Sequence, residues 1–143
     1  MFHSVRKQCS KIGDKSFISS NFLILGAAQK LKQSTLDYIA SHLNIRYDVI
    51  DNLQDSWKTY RVRMTFTNMG ETAIQRGNWA LYFCHIRVVE SENTKHNPNG
   101  YVLPGGYGLK VFHINGCQHK FETTAEFKDL APKVSLQVYF NLG

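Results

Sequence analysis

From Trp57 to Thr67 the residues change character at every second position. Tyr60, Val62, Met64 and Phe66 share one face, and Thr59, Arg61, Arg63 and Thr65 share the other. A helix places neighbours three or four positions apart, so a strict period of two predicts a strand with one buried face. Leu43–Val49 shows the same alternation, with apolar odd positions and polar even ones. Val134, Leu136, Val138 and Phe140 repeat it near the end of the chain. Trp79–Ile86 is apolar on both faces, which predicts a central strand. Leu109–Ile114 and Gln118–Glu122 flank Asn115-Gly116, a strong hairpin signal.

That makes about six short strands separated by turns. Parallel strands need long crossover connections, and no helix-length segment lies between these. The expected fold class is therefore all-β, a two-sheet antiparallel β-sandwich with one short N-terminal helix. The helix is expected over Gln33–His42, where Leu36, Ile39, Ala40 and Leu43 recur at helical spacing behind Ser34 as N-cap. Asp51–Asp55 and Asn68-Met69-Gly70 read as turns, because Asn and Asp bond their own backbone and Gly relaxes it. Ser91–Tyr107 holds Pro98, Pro104, Gly100, Gly105 and Gly106 and reads as one long loop, a segment type often used for binding. Phe127–Leu130 reads as a single helical turn stopped by Pro132.

The chain has 143 residues, 43% of them apolar and 20% charged, which suits one ordinary globular domain. Residues 1–30 read as a leader, either a signal peptide or a disordered segment, ahead of a domain over 31–143. Arg6, Lys7, Lys11 and Lys15 precede the apolar Phe22-Leu23-Ile24-Leu25 and the small Gly26-Ala27-Ala28, the order of a secretory signal. A functional signal would imply a secreted, lysosomal or periplasm-like location. The formal net charge is +6, but Lys and Arg form no single cluster of the kind nucleic-acid binders use, so no nucleic-acid partner is expected. No apolar run reaches the ~18 residues of a membrane span. The cysteines are Cys9, Cys84 and Cys117. The odd count suits a reduced protein, or a processed one in which Cys9 leaves and Cys84 pairs with Cys117.

The residues offer little catalytic chemistry. Glycoside hydrolysis needs two placed carboxylates. Asp48 with Asp51, and Glu122 with Glu126, sit where acids serve solvation and turns. Cys84, His85, His113, Cys117 and His119 form no compact zinc signature, and the adjacent Cys84 and His85 point to opposite faces of a strand. No nucleophile elbow is present, and Gly105-Gly106-Tyr107-Gly108 lacks the Lys and the following helix of a phosphate loop. No cofactor is expected. Aromatic surface remains. Sugar C–H faces stack on rings, with polar groups nearby for the hydroxyls. Trp79 and Phe83 belong to the most apolar strand and read as core. Trp57, Tyr101 and Tyr107, at a strand start and in the long loop, are the candidate carbohydrate-binding residues.

Four blocks carry a family resemblance. Leu43-Asn44-Ile45-Arg46-Tyr47-Asp48-Val49-Ile50-Asp51-Asn52 resembles the opening of the N-terminal domain of bacterial chitobiase and related β-N-acetylhexosaminidases. Thr65-Phe66-Thr67-Asn68-Met69-Gly70 is similar to that family's strand and Asn-x-Gly turn, and Asn78-Trp79-Ala80-Leu81-Tyr82-Phe83 to its Trp-centred strand. Lys110–Gly116 followed by Phe121–Pro132 is similar to its closing hairpin and turn. The resemblance spans residues 33–142 and implies a β-sandwich resembling cellulose-binding modules. It implies a non-catalytic accessory domain that binds chitin-like or other N-acetylhexosamine glycans, with a family-20 glycoside hydrolase barrel as a further partner. The alternative is a structural domain that packs on such a barrel without binding sugar. A barrel needs about 250 residues of its own, so hydrolysis by this chain is not expected. Ser91–Tyr107 looks like an insertion relative to the bacterial pattern.

Overall fold

Alternation decides which side of each strand is buried. Along Tyr60–Asn68 (β3), Val62, Met64 and Phe66 are buried, while Arg61, Arg63, Thr65 and Thr67 face outward. Leu43–Asn52 (β2) and Ser135–Leu142 (β8) flank it antiparallel in a three-stranded sheet, β2-β3-β8. This is a computed structural model, and it describes residues 22–26, 33–52, 60–77 and 79–142. The second sheet has the order β1-β4-β7-β6-β5, all neighbours antiparallel. Its strands are Phe22–Gly26 (β1), Trp79–Cys84 (β4), Tyr101–Val102 (β5), Leu109–Asn115 (β6) and Gln118–Thr123 (β7). The two sheets give the expected antiparallel β-sandwich.

The core lies between them. Phe121 of β7 meets Phe66 and Phe140 of the other sheet edge-on, at 6.4 and 5.8 Å between ring centroids. It also lies 5.1 Å from Phe83 of β4. Leu81, Leu109 and Val111 from one sheet and Val62, Met64 and Val138 from the other complete the buried layer. Each such side chain contributes about 1.5–3 kcal/mol by leaving water. Gln33–His42 forms the expected helix (α1) and buries Leu36, Ile39 and Ala40. Ser34 stands inside its first turn rather than before it.

The turns explain their residues. Asn68 is fully buried at the end of β3. Its amide donates to the carbonyls of Thr72 and Leu130, both at 2.8 Å, and its Oδ1 accepts from Gly70 N–H at 2.9 Å. Every polar valence of a buried Asn needs a partner, and here each one also closes a turn. Gly70 lies under the Tyr38 ring, where a Cβ would stand 2.1 Å from the phenol oxygen. The Tyr38 hydroxyl in turn donates to Thr72 O and accepts from Thr72 N–H, tying α1 to the turn.

Several local expectations change. Asp51 and Asn52 continue β2, with a register shift at Ile50, instead of opening a turn. Phe127–Leu130 is not helical: Leu130 exchanges both backbone hydrogen bonds with Ile74, at 2.8 and 2.9 Å, and Phe127 packs edge-on to Trp79. Tertiary pairing overrides the weak local helix signal there. The long loop contains a four-residue helix, Ser91–Thr94 (α2), and the two-residue β5. Phe22–Gly26, which lies in the segment read as a leader, pairs with β4 residue for residue from Phe22↔Phe83 to Gly26↔Trp79.

The β6–β7 hairpin turns at Gly116-Cys117, one position beyond the expected Asn-Gly pair, because Asn115 lies opposite Gln118. That places Cys117 beside the end of β4, and it forms a disulfide with Cys84. Cys84 and Cys117 are thus the paired cysteines, and Cys9 lies outside the described residues. The bridge closes a loop of sequence separation 33, worth about 3–4 kcal/mol by loop-closure entropy. We expect the Cys84→Ser, Cys117→Ser double variant to lose about that much stability in urea unfolding. Non-reducing thiol titration of the unaltered chain should find both sulfurs blocked; two reactive thiols there would contradict the bridge.

Candidate functional site

The structure places the sequence-predicted aromatics separately. Trp57 lies outside the described residues. Tyr101 stands on β5 opposite Val111, which is fully buried, so its ring lies on the inner side of the sheet and packs half-buried against the core. Tyr107 is also half-buried against the core, with its ring over Gly105 and its hydroxyl accepting from Tyr139 N–H at 3.3 Å. Among the described residues no ring contact joins the two.

The acids serve as ion-pair partners. Asp48 takes Arg46 and Arg63, each at 3.2 Å, and Glu122 takes Lys120 at 2.9 Å. The histidines are held by structural bonds. His85 Nε2 and the Tyr47 hydroxyl lie 2.7 Å apart, and burial lowers the His85 pKa while pushing Tyr47 up to about 12. His119 is fully buried and stacked on Phe83. Its Nε2 accepts from Val89 N–H at 3.2 Å and its Nδ1 lies 2.9 Å from Cys117 O, to which it donates. Burial pushes its pKa down to about 4, because the charged imidazolium would lose its hydration in the core, and the neighbouring His113 and His85 add to the fall.

The outer face of the five-stranded sheet gathers a different set. In register, Tyr82 of β4 lies opposite Lys120 of β7, and Lys120 lies opposite Phe112 of β6. Tyr82 and Phe112 therefore occupy one row, two strand spacings or about 10 Å apart. Both rings are half-buried at the surface. The Lys120 Nζ sits 4.6 Å from the Phe112 ring centroid while reaching Glu122. The next row runs Glu122, Lys110, Val102. Gly100, at φ +75°, abuts Phe112: a Cβ there would stand 2.7 Å from the ring and 2.9 Å from the Lys110 stem. Beyond it, a groove of about 640 Å³ opens between Lys95–Pro98 and His113-Ile114.

This row sets two rings on one sheet face with a cation between them and hydrogen-bonding groups alongside, and it holds no pair of facing carboxylates. Sequence reading missed Tyr82 because it lies in a run apolar on both faces. It missed Phe112 because the hairpin was read for its turn. The available signal was parity, since Lys110, Phe112, Lys120 and Glu122 all fall on the solvent side of their strands.

The family model described as "Putative carbohydrate binding domain" matches residues 42–143. No curated protein matches the chain.

His119 gives the fold a pH dependence whose sign is fixed. Its folded pKa, about 4, lies below the ordinary 6.5, so the unfolded chain binds the extra proton first as pH falls. The stabilisation is complete above about pH 6.5 and is lost towards pH 4, by about 3 kcal/mol in all. Urea midpoints measured at neutral pH and near pH 4.5 should fall across that window, and His119→Gln should flatten the fall. An equal fall in the variant would assign the effect elsewhere.

Proposed function

This chain belongs to that family, the N-terminal domain of chitobiase and hexosaminidase, and on that premise we propose that it is a non-catalytic accessory domain whose Tyr82–Phe112 face holds an N-acetylhexosamine glycan. The observation that carries the reading is the shared row: two rings at one level of one sheet face, with Lys120 between them. A β-1,4-linked chain turns each sugar over relative to the last, so alternate rings present the same face. Two aromatics a disaccharide repeat apart suit that geometry. Each ring would cover sugar C–H surface, and Lys110, Glu122 and the exposed Gln118 would serve the hydroxyls. The strip is rigid because its strands are interior to the sheet, which keeps the ordering cost of binding low. A chitin-like or other N-acetylhexosamine-containing glycan is the ligand class, and a family-20 catalytic barrel is the partner whose substrate the domain would retain. The Cys84–Cys117 bridge supports work in an oxidising compartment.

One observation favours the second reading, a packing domain that binds no sugar. Val102 and Ile114 on the same face are 51% and 42% exposed, apolar surface that a protein neighbour would cover.

Calorimetry of the full chain with chitin oligomers separates the readings. Saturable binding is expected, weakened about tenfold by Tyr82→Ala and again by Phe112→Ala, near 1.4 kcal/mol for each ring. No binding by the folded wild-type chain would leave the packing reading. Loss of binding in Trp57→Ala, Tyr101→Ala, Tyr107→Ala, with Tyr82→Ala and Phe112→Ala unaffected, would move the site to the long loop.

A further inference from the structure

We infer that the glycan this face takes is anionic, carrying carboxylate or sulfate groups; the inference rests on the platform reading above and specifies its ligand. Cationic side chains stand in and beside the ring row. Lys120 separates the two rings, Lys110 stands in the adjacent row, and the groove past Gly100 is lined by Lys95, His96, Asn97, Pro98, His113 and Ile114, with no acid among them. Glu122 is the carboxylate of these rows, and it is taken by Lys120. Among the described residues Lys95, Lys110 and Glu92 form no ion pair.

The rim is built rather than loose. Asn97 ties it by donating to Asn93 O at 3.0 Å and Gly100 O at 3.1 Å, and its Oδ1 accepts from Asn99 N–H at 3.1 Å. His96 takes a left-handed conformation at φ +59°, and Gly100 then seats the loop on Phe112 and the Lys110 stem. The same loop carries Lys95 and His96 just ahead of Asn97, which bonds Gly100, the residue seated against Phe112. A neutral chitin chain would use the rings and leave Lys95 and His96 idle. A chain alternating N-acetylhexosamine with an acidic sugar would use both, stacking one residue on a ring and setting the next one's charge beside Lys110, Lys120 or Lys95.

The test uses the full chain and four probes at matched length: an N-acetylglucosamine hexamer, a hyaluronan oligosaccharide (carboxylate without sulfate), a heparin oligosaccharide (sulfate and carboxylate) and a single-stranded oligonucleotide. One or both acidic glycans should bind at least about tenfold tighter than the neutral hexamer at low salt, with the advantage shrinking as salt screens it. Preference for heparin alone assigns sulfate, and equal binding of hyaluronan assigns carboxylate. Lys95→Ala should cut the advantage at least several-fold and leave hexamer binding unchanged, whereas Tyr82→Ala with Phe112→Ala should weaken both. Equal, salt-insensitive binding of hexamer and acidic glycans would overturn the inference and leave the platform standing. Acidic-glycan binding indifferent to the loss of both rings, or an oligonucleotide bound equally well, would also overturn it. A folded chain that binds none of the probes would remove the platform itself.

Discussion

Phe121 fixes which side of β7 faces water. Its ring packs with Phe66 and Phe140 of the opposite sheet and Phe83 of its own, so it stands at the centre of the aromatic contact between the two sheets. Strand side chains alternate, so burying Phe121 sends Lys120 and Glu122 outward together. A slip of one residue would bury a Lys–Glu pair and expose a Phe, a cost that no local interaction on β7 could offset. The outer row of Tyr82, Lys120 and Phe112 is the reverse side of that core contact. Its spacing follows from the pairing of β4, β7 and β6.

One end of the sandwich depends on how β4 finishes. Cys84 leaves the strand into a bond with the hairpin tip, His85 N–H donates to Cys117 O at 2.7 Å, and His119 accepts from Val89 on the return path. Val89 then bridges to Leu142 of the other sheet, and Glu90 exchanges bonds with Asn141 at the β8 edge. The segment after β4 therefore crosses from one sheet to the other by satisfying buried polar groups in sequence. The neutral imidazole is one of its parts, so protonation of His119 loosens the joint between sheets and not merely one side chain.

Much of this was legible in the chain. The alternation in Arg61–Phe66 needed only one buried face to be read, and β3 has one. The Asn68-Met69-Gly70 block read as a turn, and its residues prove to be demanded by the buried amide and by the Tyr38 ring over Gly70. What escaped depends on partners distant in sequence. Two residues of β5 carry no periodicity, Leu130 is shaped by Ile74, and Phe22–Gly26 is a strand because β4 offers it an edge. The candidate face escaped for the same reason. Tyr82 and Phe112 come into one row only when β7 inserts between their strands, an order that β4-β5-β6-β7 in sequence does not announce.

The loop between β4 and β6 shows how a long connection and the sandwich share one surface. Its two ends are pinned by different means. At the start, Thr94 is buried with its hydroxyl on Val89 O, and at the finish Gly108 lies so close to Phe127 that a Cβ would stand 2.2 Å from its backbone. Tyr107 locks against the β8 backbone between them. Anchored at both ends, the middle of the loop has little freedom, and Gly100 is where it touches the outer face. A side chain at that position would have to displace the Phe112 ring, because the positive φ and the 2.7 Å approach leave it no other space. The glycine is therefore what allows the cationic rim to sit against the aromatic row instead of standing away from it. The chemical character of the face is set jointly, by a sheet that presents the rings and by a loop whose closest contact with them is the one residue without a side chain.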